Sequence, residues 1–186
     1  MTDAKCTLCA SGMSQTNKHV ISNCSAPIAL QRYTKRHDDV LRLVCNWLKS
    51  VLASSQELFV DLQNFDAKNT CDIFNNFRPD IAIVDSSSIK TLELTVCHET
   101  NLQASEQYKQ GKYTALSKAG STLAQDKVIS NYTLEVSTLG FISSIYEFLS
   151  ANKLPKLPAT LKHDVIHSVL NNTFIIYCNR NSPDVF

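Results

Sequence analysis

Cys6-x2-Cys9-x9-His19-x4-Cys24 occupies the first 24 residues. Cys-x2-Cys puts two thiolates on one tight turn, and four intervening residues put His19 and Cys24 on one helical turn and its exit. The four supply three sulfurs and one nitrogen, the donor set of a closed tetrahedral zinc site. Because protein fills every position, such a site is structural, and the metal supplies the folding energy that so short a segment lacks. Read apart, the same residues are free thiols and a histidine. Farther along come Pro79-Asp80, twelve residues, and Glu93. Two carboxylates sharing one place repel unless a cation lies between them. Mg2+, or Mn2+ in its stead, takes one or two carboxylates and leaves positions for water and phosphate oxygens. Lys109 or Lys112 is positioned to hold the water or the phosphate charge, and Tyr113 to bond a phosphate oxygen. The plainer alternative is an Asp entering a strand and a solvated Glu within the next.

The chain has 186 residues, 44% of them hydrophobic and 19% charged. That suffices for one packed domain with a small appendage and excludes a disordered chain. A formal net charge of +1 argues against a simple nucleic-acid coat. No apolar run approaches the length of a membrane span, and MTDAKCTLC has no apolar leader core, so an intracellular chain is expected. Seven cysteines then read as thiols or metal ligands, not a disulfide framework.

Apolar residues from Ala29 to Val51 recur at three- and four-residue steps, predicting a long helix. His37 lies on its apolar face with Arg36 beside it. Leu58, Val60 and Leu62 alternate as a first strand, and a polar loop or ragged hairpin runs from Gln63 to Asn76. Residues 81–84 and 89–96 read as antiparallel neighbours joined by Asp85-Ser86-Ser87-Ser88. That pairing would bring Asp80 and Glu93 together. Residues 101–119 read as a helix stopped by Gly120, 128–136 as a fourth strand, and 141–150 and 160–177 as helices. The order is α-β-β-β-α-β-α-α, with the knuckle at 1–27 and the main domain at 28–186. The core would span 29–140, with a helical extension over 141–186.

This arrangement resembles the restriction-like endonuclease domain of site-specific non-LTR retrotransposons, within the PD-(D/E)xK nuclease superfamily. The resemblance covers roughly residues 5–140. It rests on Cys6, Cys9, His19 and Cys24; on Arg36-His37-Asp38; on Pro79-Asp80 with Glu93; on Lys109, Lys112 and Tyr113; and on the run from Leu134 to Gly140. It implies an α/β fold with an αβββαβ core, a mixed sheet flanked by helices. It implies a Mg2+- or Mn2+-dependent endodeoxyribonuclease that nicks duplex DNA to prime reverse transcription. Asp80 and Glu93 would hold the metal, Lys109 would be catalytic with Tyr113, and Lys112, Arg36 and His37 would contact DNA. The alternative for Arg36 and His37 is to shape the centre. The wider superfamily's lysine, two residues after the second acid, is replaced by Thr95, a shift to the helix that the narrower family shares. The resemblance also implies a nuclear protein partnered by a reverse transcriptase domain and element RNA. No segment resembles a reverse transcriptase, so an excised domain, truncated copy or domesticated remnant is expected. A catalytically silent nucleic-acid-binding module is the rival expectation, and a purely structural scaffold the next. His163 and His167 read as helix surface, and Glu99 as a turn residue with a weak claim to the centre.

Overall fold

The computed structural model describes residues 5–9, 11–74, 78–114, 126–182 and 184, without the side chains of 113 and 114. Residues 115–120, which carry Lys118 and the expected Gly120 stop, lie outside the described residues.

Helix α1 runs Pro27–Val51. Pro27 suits the first turn, where its missing N–H removes a donor that has no helical partner. Val40, Leu41, Val44, Cys45 and Leu48 form the buried stripe. The strands are β1 (Glu57–Val60), β2 (Ile81–Val84), β3 (Ser88–Cys97) and β4 (Val128–Ser137), in spatial order β1-β2-β3-β4. The first two pairings are antiparallel, while β3 and β4 are parallel from Ser88↔Val128 to Cys97↔Ser137. The parallel pair needs a crossover, and α2 (Leu102–Thr114) lies within it. Helices α3 (Tyr146–Ala151) and α4 (Ala159–Cys178) complete the order. The result is α/β, a mixed sheet flanked by helices.

Strand alternation sorts the faces. Leu92 and Leu94 of β3, with Leu134 and Val136 of β4, join the α1 stripe, Phe148 and α4's Val165 and Val169 in the main core. Glu93, Thr95 and Cys97 point the other way. There α2 covers them, with Lys109 on Glu93 and Ser105 on Cys97.

The β2–β3 turn is built on Asp85. Its carboxylate accepts the N–H groups of Ser87 at 2.9 Å and Ser88 at 2.7 Å, and the Lys90 ammonium at 2.9 Å. Lys90 and these turn bonds hold the carboxyl well below the usual carboxylate range. Asp85→Ala is expected to cost about 1.5–3 kcal/mol in denaturant unfolding. A depressed folded pKa contributes stability above the unfolded value near 4, and that stability is lost as pH falls below it. The gap between parent and variant should therefore narrow below about pH 4.

Two expectations need correction, and one open alternative is resolved. Strand β1 ends at Val60, after which the Asp61 N–H turns to the Asp80 carbonyl at 2.9 Å, so Leu62 is buried outside the strand. Of the two alternatives for the stretch from Gln63, the described residues take the loop, with one parallel bridge, Phe59↔Lys68, and a 3-10 turn capped by Asn69. Ile73 and Phe74 then join Phe59, Ala82 and Ile89 in a second small core. Finally, residues 141–145 are not helical. Gly140, at φ +89°, reverses the chain, and Ser143 returns along β4 to donate its N–H to the Glu135 carbonyl at 2.9 Å. A side chain at Gly140 would also meet Ile166 at 2.9 Å.

Candidate metal cluster and acidic site

Local chain geometry gathers the knuckle. The Cys6 N–H donates to the Met13 carbonyl at 2.9 Å, closing the loop that carries Cys6 and Cys9. His19 opens a single π-type turn, His19–Asn23, and Cys24 leaves it in extended backbone. The ligand atoms of Cys6, Cys9, His19 and Cys24 all lie within 4.8 Å of one another. Cys6 and Cys24 sulfurs are 3.9 Å apart, and the Cys9 sulfur is 3.3 Å from His19 Nε2. Zinc bonds of about 2.3 Å to sulfur and about 2.0 Å to nitrogen give tetrahedral edges of about 3.8 and about 3.5 Å. The cluster therefore fits a metal such as zinc in donor type and in spacing. Hydrogen bonds from Ser11 pull the Cys9 thiol down to about 6. Burial pushes the Cys24 thiol up to about 11, and a bound cation reverses that preference.

The knuckle is docked against the domain. Tyr33 of α1 donates its hydroxyl to the Val20 carbonyl at 2.6 Å and accepts the Cys24 N–H at 3.2 Å. Asn181, beyond α4, accepts from Thr7 and from Gln15, each at 3.1 Å. Arg32 donates to the carbonyls of Asn179 at 2.8 Å and Ser182 at 2.9 Å. The C-terminal segment, motif-free in sequence, thus clamps knuckle and α1 together.

One rim of the sheet brings together Asp80, Glu93, Lys109 and His37, from four separate stretches of chain. Asp80 immediately precedes β2, and its own N–H donates to Glu93 Oε2 at 3.3 Å. Asp80 Oδ2 accepts the Leu94 N–H at 2.7 Å and faces His37 Nε2 at 3.4 Å. Glu93 Oε1 accepts the Lys109 ammonium from α2. The Glu93 side chain is 5% exposed and Asp80 13%, so Asp80 is the outer carboxylate. Burial disfavours the charged form of His37, yet the Asp38 carboxylate at 3.0 Å and Asp80 outweigh it and raise its pKa to about 10. The rim thus sets two adjacent carboxylates between two cations.

Other expected site residues fall elsewhere. Arg36 is buried, 1% exposed, and donates to the Thr173 hydroxyl of α4 at 3.0 Å. A one-residue step on α1 turns it about 100° from His37, away from the rim. Burial pulls its guanidinium down to about 10, still cationic at neutral pH. Arg36→Met should accordingly leave DNA affinity unchanged and leave stability in urea equal to the parent's, or higher by up to about 4 kcal/mol. Lys112 is exposed on α2. The Tyr113 side chain lies outside the described residues. Glu99 accepts the Leu139 N–H at 2.8 Å, away from the rim; the exposed His163 and His167 rings stack 6.3 Å apart, and His163 Nδ1 lies 3.5 Å from Asp164.

Two contributors had no role assigned from the sequence, although Asp38 stood in the Arg36-His37-Asp38 motif. Asp38 bonds His37 directly, although its neighbour's role was already in view. Glu135 is buried on β4, on the sheet face that carries Glu93; its alternation with Thr133 and Ser137 was the available signal. Among the described residues, the Cys–His cluster is the one group of three or more metal-ligating side chains closed to within 4.8 Å. No family model matches the chain, and no curated protein does.

Proposed function

We propose that the chain is a metal-dependent endonuclease that nicks duplex DNA by phosphodiester hydrolysis, its knuckle held by zinc. The observation that carries this reading is the meeting of Asp80, Glu93 and Lys109, from three elements, at one sheet rim. Two carboxylates of unequal exposure suit a hard divalent cation in donor type. Bound there, Mg2+ or Mn2+ would acidify a water and neutralise charge on the phosphate. Asp80 and Glu93 would hold it, and Lys109, leaving Glu93, would orient the water and stabilise charge on the phosphorus oxygens. His37 keeps Asp80 in place from α1. Lys112, and Tyr113 beside it, would meet the phosphate backbone. Water's oxygen bonds phosphorus, the bond to the 3′ oxygen breaks, and that oxygen takes a proton. The nick therefore ends in a 3′-hydroxyl, the primer that a reverse transcriptase extends, as the retrotransposon resemblance implies.

The second reading, a silent nucleic-acid-binding module, draws on the mutual satisfaction of Glu93 and Lys109. Labelled duplex incubated with the zinc-loaded chain and Mg2+ separates the two. Fragments with polymerase-extendable 3′ ends are expected. Duplex that is retained but uncut, across Mg2+ and Mn2+, would instead establish the silent module.

A further inference from the structure

Glu135 is 5% exposed, and its two oxygens differ. Oε2 accepts the Ser143 hydroxyl at 2.9 Å, whereas Oε1 is buried and meets no donor. A buried carboxylate oxygen without a partner is costly, so a fold that retains one has a reason to do so. The side chain lines a groove of about 320 Å3 between α2, β4 and the start of α3, shared with Glu106 and Glu147. No Lys, Arg or His is among the described residues lining it. Three acidic residues from three elements thus line one space with no basic residue among the described lining. The neighbouring donors, Ser143, Thr133 and Asn131, also offer oxygen.

We propose that Glu135, Glu106 and Glu147 form a divalent-cation site of the calcium type, separate from the Asp80–Glu93 pair. An all-oxygen set points to a hard cation. Three carboxylates with neutral oxygens suit the six to eight ligands of Ca2+ better than Mg2+, which usually takes one or two carboxylates. Glu135 is the fixed ligand, held by Ser143. Glu106, which now accepts from Gln110 at 3.2 Å, and exposed Glu147 are surface side chains on helices and would swing in to close the site. Neither Asp80 nor Glu93 lines the groove. An ion there would tie α2 to β4 and stiffen the helix that carries Lys109.

The test is calorimetric titration of Ca2+ into the full zinc-loaded chain, as parent, Glu135→Gln, Glu147→Gln and Asp80→Ala, with melting curves beside it. The parent and Asp80→Ala should each show the saturable site. Glu135→Gln should lose it, and Glu147→Gln should bind about tenfold or more weakly. Ca2+ should raise the melting temperature of the parent but not of Glu135→Gln. Without Ca2+, Glu135→Gln should melt at or above the parent, a result that a purely structural glutamate would not produce. Should Glu135→Gln fail to fold, Glu147→Gln decides the matter alone. The proposal is overturned by absence of saturable binding in the parent, or by parent-like binding in both glutamine variants. Loss of the site in Asp80→Ala with retention in Glu135→Gln would overturn it equally.

Discussion

Cys24→Ser is expected to release zinc and to unfold the first 26 residues, with the largest loss of stability of any single change in this chain. Structural zinc contributes about 10–16 kcal/mol to the folding of isolated zinc-finger peptides. Without it, Cys6, Cys24, Ala26 and Ala29 have only a small satellite cluster to hold them. The damage should reach α1, because the Tyr33 hydroxyl bonds the backbone at Val20 and Cys24. His37 sits one helical turn beyond Tyr33, so the acidic rim is mechanically downstream of the knuckle. Metal analysis should give one zinc for the parent and none for the variant. Protease should cut the variant between residues 5 and 26 while the parent resists. A zinc-free parent with unchanged protease resistance would show that the four residues are ordinary thiols and an imidazole.

Lys109→Ala carries the second large effect. It should lower Mg2+-dependent nicking by about 10²–10³-fold, the usual cost of removing one preorganised charge from a hydrolytic centre. The fold should persist, because Lys109 lies on the surface of α2 and a quarter of its side chain reaches solvent. Glu93 is the residue left exposed to consequence: without the ammonium, a 5%-exposed carboxylate loses its ion-pair partner on α2. Metal affinity at the rim should therefore rise in the variant as nicking falls, since the cation no longer competes with an internal ammonium. A variant that binds Mn2+ more tightly yet cuts slowly would separate the role of Lys109 in the reaction from any role in metal binding. Parent-level nicking by Lys109→Ala would remove it from the chemistry.

Local patterns carried much of this arrangement. The period of α1, the alternation in β3 and the Asp85 turn are properties of short stretches, and the structure realises each within a few residues. The antiparallel step from Asp80 to Glu93 follows from that turn, because register in a hairpin is set by its loop. The knuckle was legible because its ligands lie within 19 residues of one another. What could not be read depends on packing between distant segments. Arg36 and His37 are adjacent in sequence, and only α4 decides that one is internal and the other faces Asp80. Ile73 and Phe74 lie in a polar stretch, and the open side of the sheet gives them their place. Residues 141–145 carry a helix-like apolar pattern, yet the free edge of β4 claims them as an extended return once Gly140 has turned the chain. Glu135 went unnoticed for the same reason: a lone acid in an apolar strand has no partner in sequence, and its setting is formed by α2 and α3.

The most direct test of the endonuclease account is a supercoiled-plasmid assay with zinc-loaded parent and Asp80→Ala, with and without Mg2+. Relaxed circles are expected from the parent in Mg2+, none without it, and none from an Asp80→Ala protein that retains its zinc and its fold. Equal Mg2+-dependent nicking by parent and Asp80→Ala would contradict the endonuclease reading.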